Sequence, residues 1–272
     1  MSDRGSLDRL KQATTWMWSL GDYSALSPLL EPYAIALAHV CAILPGARVL
    51  DVAAGDGNFA VAAARLGAHV TACDLTPRML ELGRARSRRE AIEVKWLEGD
   101  AEDLPVPHSS FDVVASVFGA MFAPRPEIVA AELFRVCGPG GTVAMANYGR
   151  QGFLGAMADL LGKYSRPAPL DLPSPFDWGD PGVVRARLSP HARQVHVAER
   201  TLVMEFASVG AAAEFWERTN GPQTALRAML PPDRYGDFKR DAVELIDASN
   251  TRRGGAVELR SDYLEVLARK PA

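Results

Sequence analysis

Between residues 48 and 148 the chain alternates short, nearly continuous apolar runs with longer stretches whose apolar positions recur at helical spacing. Val49 and Leu50, His69 to Ala72, Ile92 to Leu97 and Phe111 to Val117 read as buried strands. Between them, Asn58 to Leu66 predicts an alanine-rich helix ending at Gly67, and Thr76-Pro77 supplies a cap and a first-turn proline for the next helix. Outside this segment the pattern changes. Residues 8 to 43 read as helical, broken at Gly21-Asp22 and at Pro32. After a fifth strand, Gly149 to Lys163 predicts a helix, Ser165 to Pro181 a proline-rich loop, and the alternation over Gln194 to Phe206 a strand. Helices over Ser208 to Asn220, Gln223 to Met229 and Pro232 to Ser249 follow, then a last strand at Tyr263 to Ala268.

The strand ends carry the chemistry. In V-L-D-V-A-A-G-D-G-N, Val49 to Asn58, an apolar run ends in an acid, and Gly55 and Gly57 allow a tight turn with close approach of backbone to a ligand. Such a loop serves a dinucleotide, serves a nucleoside, or packs a strand against a helix. Asp74, at the tip of the second strand, is placed to accept from both hydroxyls of a ribose, one proton per carboxylate oxygen. The third strand runs into E-G-D-A-E-D-L-P at Glu98 to Pro105, and the fourth ends in S-V-F-G at Ser116 to Gly119. Four strand ends thus face one edge.

Taken in order, these segments resemble the class I S-adenosylmethionine-dependent methyltransferases, and among them the ubiquinone and menaquinone-biosynthesis type. D-V-A-A-G-D-G at Asp51 to Gly57 is similar to that family's D-x-G-x-G-x-G, with Ala53 in place of the first glycine. A-C-D-L-T-P-R-M-L at Ala72 to Leu80 resembles the ribose-binding acid and its helix, and G-D-A-E-D-L-P at Gly99 to Pro105 the adenine clamp. S-F-D-V-V-A-S at Ser110 to Ser116 and R-V-C-G-P-G-G at Arg135 to Gly141 resemble strand four and the turn before strand five. The resemblance spans roughly residues 45 to 148 and implies an α/β, Rossmann-like, doubly wound seven-stranded sheet, mostly parallel with the last strand antiparallel, and helical lid additions. It implies S-adenosyl-L-methionine as cofactor, with Asp51 and Gly55 near its methionine part, Asp74 on the ribose, and Leu75 and Met79 against the adenine. Asp100 would accept the adenine amino group while the Ala101 amide meets a ring nitrogen; Asp100 also reads as a helix cap. Ala53, Asn58, Gly99, Glu102, Ser116 and Met121 complete the implied cofactor set. Tyr23 joins it because G-D-Y before a new helix puts a hydroxyl on a loop that could reach the cofactor's carboxylate.

Composition agrees with an enzyme of this kind. At 272 residues with 48% hydrophobic content, the chain suits one nucleotide-binding domain with a substantial addition. The expected division is an N-terminal helical lid over 1–44, a cofactor core over 45–148, a lid insertion over 149–192, and 193–272 completing the sheet and the acceptor pocket. No apolar stretch approaches the ~20 residues of a membrane span, and the N-terminus lacks a signal peptide's apolar centre. Cys41, Cys73 and Cys137 lie in apolar runs without paired spacing, reading as core thiols of a cytoplasmic protein. A net charge of −3 argues against a nucleic-acid partner. So does S-V-F-G where amino-methylating nucleic-acid enzymes carry D/N-P-P-aromatic. Arg84, Arg86, Arg88 and Arg89 read as a solvated helix end.

A sulfonium methyl needs alignment with its acceptor and exclusion of water more than it needs a base. His108, His191 and His196 have no partner acid by spacing and read as solvated, so no catalytic residue is assigned. A catechol-type magnesium site would need an acid after strand four and an Asp-Asn pair after strand five; Ser116 and Asn147 stand there instead, so no metal is expected. Trp18, Phe122, Tyr148 and Trp178 are the acceptor candidates. Trp16, Trp18 and Trp178 have a second reading, as filling between helices and sheet. The expected function is methyl transfer to a small aromatic or apolar metabolite. The alternatives are a non-catalytic S-adenosylmethionine-binding regulator and a nucleic-acid or protein methyltransferase.

Overall fold

The computed structural model describes residues 3–166, 170–252 and 254–272, with side chains from residue 5 onward. Residues 167–169 of the expected proline-rich loop therefore lie outside the described residues. Seven strands form one sheet: β1 (Arg48–Val52), β2 (His69–Asp74), β3 (Lys95–Glu98), β4 (Phe111–Val117), β5 (Cys137–Gly152), β6 (Gln194–Phe206) and β7 (Val257–Arg269). Their order is β3-β2-β1-β4-β5-β7-β6. The first five pair in parallel. β7 is antiparallel to both its neighbours: the Lys270 amide donates to the Gly141 carbonyl at 3.0 Å, and the Arg193 amide to the Arg269 carbonyl at 2.8 Å. The order reverses between β1 and β4, so their carboxyl ends form the switch point at which open α/β sheets bind ligands.

The helices are α1 (Asp3–Ser19), α2 (Tyr23–Val40), α3 (Asn58–Arg65), α4 (Pro77–Arg89), α5 (Pro126–Val136), α6 (Phe153–Tyr164), α7 (Pro181–Leu188), α8 (Val209–Thr219), α9 (Gly221–Met229) and α10 (Pro232–Ala248). Short 3-10 turns lie at Ala120–Phe122 and Pro175–Gly179. Proline in the first turn starts α4, α5, α7, α9 and α10, where its missing N–H costs nothing. No described helix is long and apolar enough to cross a membrane.

Three expectations need correction. Pro32 does not break α2, which also contains Pro28; burial of Ala34, Leu37 and Ala38 beyond it holds the helix against the lost hydrogen bond. Helix α6 starts at Phe153 instead of Gly149, because β5 runs on to Gly152. There the bare backbone lies so close to Arg260 and Ser261 that a Cβ would collide. β7 begins at Val257, six residues before the expected start.

The described residues form two compact units. A helical unit gathers the chain up to Leu26, Gly149–Leu172 and Thr201–Asp262; a sheet unit comprises Ser27–Tyr148, Pro173–Arg200 and Tyr263–Ala272. The cuts fall at 26, 148, 172, 200 and 262, against the 44, 148 and 192 expected. Most of α2 therefore belongs with the sheet. The sheet unit's core runs from Leu50, Val114 and Met145 on the strands to Val129 and Leu133 of α5, and on to Trp178, Val184 and Leu188.

Candidate cofactor-binding site

The turn from β1 to α3 is built on three left-handed residues, Ala53 (φ +52), Gly55 (φ +58) and Gly57 (φ +91). Below it, the fully buried Asp51 accepts from the Ala60 amide at 2.9 Å, so a strand carboxylate satisfies a first-turn donor of α3. Burial pushes the Asp51 acid up to about 8, Asp74 and Asp56 add to the rise, and the Ala60 amide opposes it. A Cβ at Gly55 would meet nothing within 4 Å, so that position faces open space; at Gly57 it would meet the Trp96 ring at 2.6 Å.

Asp74 closes the turn from β2. Its Oδ2 accepts from the Gly55 amide and its Oδ1 from the Thr76 amide, each at 2.8 Å. Burial raises its pKa against the pull of those amides. The Thr76 side chain bonds the carboxylate as well; of about four lone-pair sites, one remains.

The outer wall of the loop was not foreseen. Asn58 donates to the Ser27 carbonyl at 3.0 Å and accepts from Arg86 Nη1 at 2.5 Å. Ser27 also donates to Asp56. Arg86, only 6% exposed, bonds Glu31 of α2 at 2.9 Å and Glu90 at 3.0 Å. The solvated reading holds for Arg84, Arg88 and Arg89 but is corrected for Arg86, which shares the buried face of α4 with Met79, Gly83 and Ser87. The spacing of Arg86 from Met79 and Gly83 was the available signal.

After β3, Asp100 Oδ1 accepts from the Glu102 amide at 2.9 Å, forming a tight local turn. A Cβ at Gly99 would crowd Pro105 and Cys73, and Ala101 is buried. The Glu102 carboxylate accepts from the Arg125 amide at 2.6 Å and from its guanidinium at 2.8 and 2.9 Å, anchoring the start of α5. Ser116 Oγ accepts from the Ala120 amide at 2.9 Å, and Met121 Sδ from the Tyr148 amide at 3.4 Å, fixing the turn that follows β4.

That turn carries a ring cluster. Phe118 stacks on Tyr148 with centroids 4.2 Å apart and planes at 4°, and meets Tyr33 and Tyr263 edge-on at 6.4 and 5.6 Å. Phe122 approaches Tyr148 at 6.5 Å. Of the acceptor candidates, Phe122 and Tyr148 come together here. Trp178 lies in the core, 1% exposed, with the Arg187 guanidinium 4.4 Å over its ring. Trp18 and Tyr23 belong to the helical unit, their rings 6.1 Å apart. His191 stacks on Phe134 at 5.5 Å. Asp51, Ala53, Gly55, Asp74, Leu75, Gly99, Asp100 and Ser116 gather at the carboxyl ends of β1 to β4. The reading of the sequence missed Tyr33, Phe118, Gly119 and Tyr263. Only the glycine after strand four offered a local signal.

The Methyltransferase domain family matches residues 50–145. An uncharacterized protein of Mycobacterium tuberculosis is 34% identical over 258 residues, covering 93% of each chain. A demethylmenaquinone methyltransferase of Clavibacter sepedonicus is 39% identical over 114 residues, 42% of this chain and 46% of that one. The chain belongs to the class I S-adenosylmethionine-dependent methyltransferases. The solved structure of the YcgJ protein from Bacillus subtilis shares the fold, with a TM-score of 0.60 at 18% identity over 88% of this chain and 99% of that one. Within this methyltransferase the domain match ends at residue 145. It takes in the loop, Asp74, Asp100 and Phe118, and leaves out Tyr148, Tyr263 and the whole of the helical unit.

Proposed function

We propose that the chain binds S-adenosyl-L-methionine at the carboxyl ends of β1 to β4 and transfers its methyl group to a small aromatic or apolar acceptor by in-line displacement. Asp74 carries this reading. It is a buried acid at the carboxyl end of β2, beside the switch point, tied to the glycine loop through the Gly55 amide, with a lone pair left for a ribose hydroxyl. The open space at Gly55 fits the methionine portion beside Asp51. Leu75 and the buried Met79 offer apolar contact for the adenine, and Asp100 and the Ala101 amide its polar edge. When bound, the cofactor supplies a methyl carbon already activated by the sulfonium. The chain's task is to hold donor and acceptor in line and keep water out. The rings at Phe118, Phe122 and Tyr148 favour an apolar, planar acceptor. Ser116 and the buried Asn147, which lack carboxylates, make a metal-assisted route the poorer reading.

The test is calorimetric titration with S-adenosylhomocysteine, followed by methyl transfer from labelled S-adenosylmethionine into metabolite extracts, with and without EDTA. Binding and EDTA-resistant transfer into small molecules are expected. Absence of binding overturns the cofactor assignment. Binding without transfer to any extract identifies a regulatory module, and transfer abolished by EDTA and restored by magnesium overturns the metal-independent route.

A further inference from the structure

Two bulky-side conformational exceptions face each other across the ends of β1 and β4. Ala53 (φ +52) opens the glycine loop, and Phe118 (φ +56) ends β4; neither residue adopts the left-handed region without strain. Gly119 lies between them. Its own φ of −114° is ordinary, so glycine is needed there for space and not for conformation. A Cβ at Gly119 would collide with the Ala53 carbonyl and stand 2.8 Å from the Ala53 Cβ. The missing side chain at Gly119 makes room first for the Ala53 carbonyl and then for its methyl group.

Phe118 is held in its strained state from the other side. Its ring is stacked on Tyr148 and flanked by the edges of Tyr33 and Tyr263, and its amide donates to the Ala146 carbonyl at 2.8 Å. The Phe122 amide donates to the Gly119 carbonyl at 3.0 Å, and Ser116 holds the Ala120 amide, so the glycine cannot back away. A strained residue persists only where its surroundings over-determine it. Here the ring cluster does so, and its result is one bare backbone unit pressed against Ala53.

We propose that Phe118 and Gly119 are positioning residues for the cofactor loop. The ring cluster fixes Phe118, Phe118 delivers Gly119 to Ala53, and Ala53 sets the turn that offers the Gly55 amide to Asp74. This deepens the cofactor reading above and rests on it. Events at the rings, including the arrival of an acceptor, then change the loop's grip on the cofactor without touching the cofactor.

Two readouts test this: amide hydrogen exchange at Ala54 to Gly57 in the ligand-free protein, and affinity for S-adenosylhomocysteine. Each is compared with the urea midpoint. In Gly119→Ala we expect faster exchange in the loop and about tenfold or more weaker affinity. Adding Ala53→Gly should recover most of both, because a glycine at 53 can follow the displaced strand end. Should Gly119→Ala fail to fold, Tyr148→Ala carries the test: it frees Phe118 and loosens the loop, and Tyr148→Phe, which keeps the stack, recovers most of the loss. Val113→Ala, a core change elsewhere in β4, should lower the midpoint and leave loop exchange alone. Loop exchange unchanged in Gly119→Ala or Tyr148→Ala, no recovery on adding Ala53→Gly, or an equal effect of Val113→Ala overturns the proposal. A wild-type protein that binds no S-adenosylhomocysteine but shows the exchange pattern overturns the cofactor reading alone.

Discussion

In the sheet unit the buried carboxylates of Asp51, Asp74 and Glu102 are each held by backbone amides or a guanidinium, and Arg86 by Asn58, Glu31 and Glu90. Among the described residues both units also bury polar atoms without a hydrogen-bond partner: Asn147 Nδ2 and Oδ1, Trp178 Nε1 and Arg187 Nη1 in the sheet unit, Trp216 Nε1 and Gln223 Oε1 in the helical unit. In the helical unit the helices meet through ring pairs such as Phe153 with Trp216 and Tyr164 with Phe238. Backbone strain, by contrast, lies in one unit. Among the described residues, the non-glycine residues with positive φ are Ala42, Ala53, Ala91, Ser109 and Phe118, all of them in the sheet unit. Around the glycine loop the charged groups are held by directional bonds, which suits the cofactor site proposed there. The helical unit relies on apolar packing, which tolerates volume-conserving exchange and so lets a binding surface vary.

The comparison can be broken first at Arg86. Arg86→Met takes the buried cation from Glu31, Glu90 and Asn58, leaving the two acids only the exposed Arg65 and Arg89, and should cost about 3 kcal/mol in urea denaturation. In the helical unit, Lys163→Met removes an exposed pair with Asp241 and should leave the midpoint where it was. Equal losses would mean that the units are not held differently.

Asp74→Ala should come next, weakening S-adenosylhomocysteine binding by about 1 to 3 kcal/mol through the unpaired ribose hydroxyls, with the fold retained. Tyr164→Phe, which removes a hydrogen bond to Asp241 in the helical unit, should not move that affinity. Calorimetry decides both, and wild-type affinity in the Asp74 variant would take the acid out of the site.

Per pH unit, the smallest effect concerns the buried acid. Burial raises Asp51 from 3.8 to about 8, so between those values the folded chain keeps a proton that the unfolded chain has lost. Stability of the ligand-free protein therefore falls as pH rises through that window, by up to about 1.4 kcal/mol per pH unit, with the Asp51 contribution complete above it. Asp51→Asn should flatten the profile in denaturation series at successive pH values. An unchanged slope would mean that Asp51 is ionised in the folded protein.

The parts of the fold legible in the sequence are those fixed by local pattern. Strand β4 over Phe111–Val117 and β6 over Gln194–Phe206 lie where their runs predict, and Asp51, Gly55 and Asp74 sit at the strand ends their motifs imply. What escaped was set by neighbours distant in sequence. Alternation beginning at Val257, with Leu259, Ser261 and Tyr263 buried, extends β7 backwards, but it reads as strand only with β5 alongside. Pro32 looked like a helix end because the burial of Leu37 that outweighs it comes from tertiary packing. Arg86 looked like one of four solvated cations because its acids are 55 and 4 residues away. The need for glycine at 119 arises from Ala53, in the turn after β1.

The clasp of Ser27 and Glu31 on the loop's outer wall has a consequence for how these sequences diverge. An arginine whose partners come from three separate segments cannot drift alone. Among homologues, loss of the basic residue at position 86 should be inherited together with loss of the acids at 31 and 90, leaving a correlated triplet while the exposed arginines at 84, 88 and 89 wander. The same clasp makes the stretch from Ser27 onward a buttress of the nucleotide loop, so an N-terminal truncation that starts the chain at β1 would strip a wall from the binding turn and leave Asp56, Asn58 and Arg86 facing solvent.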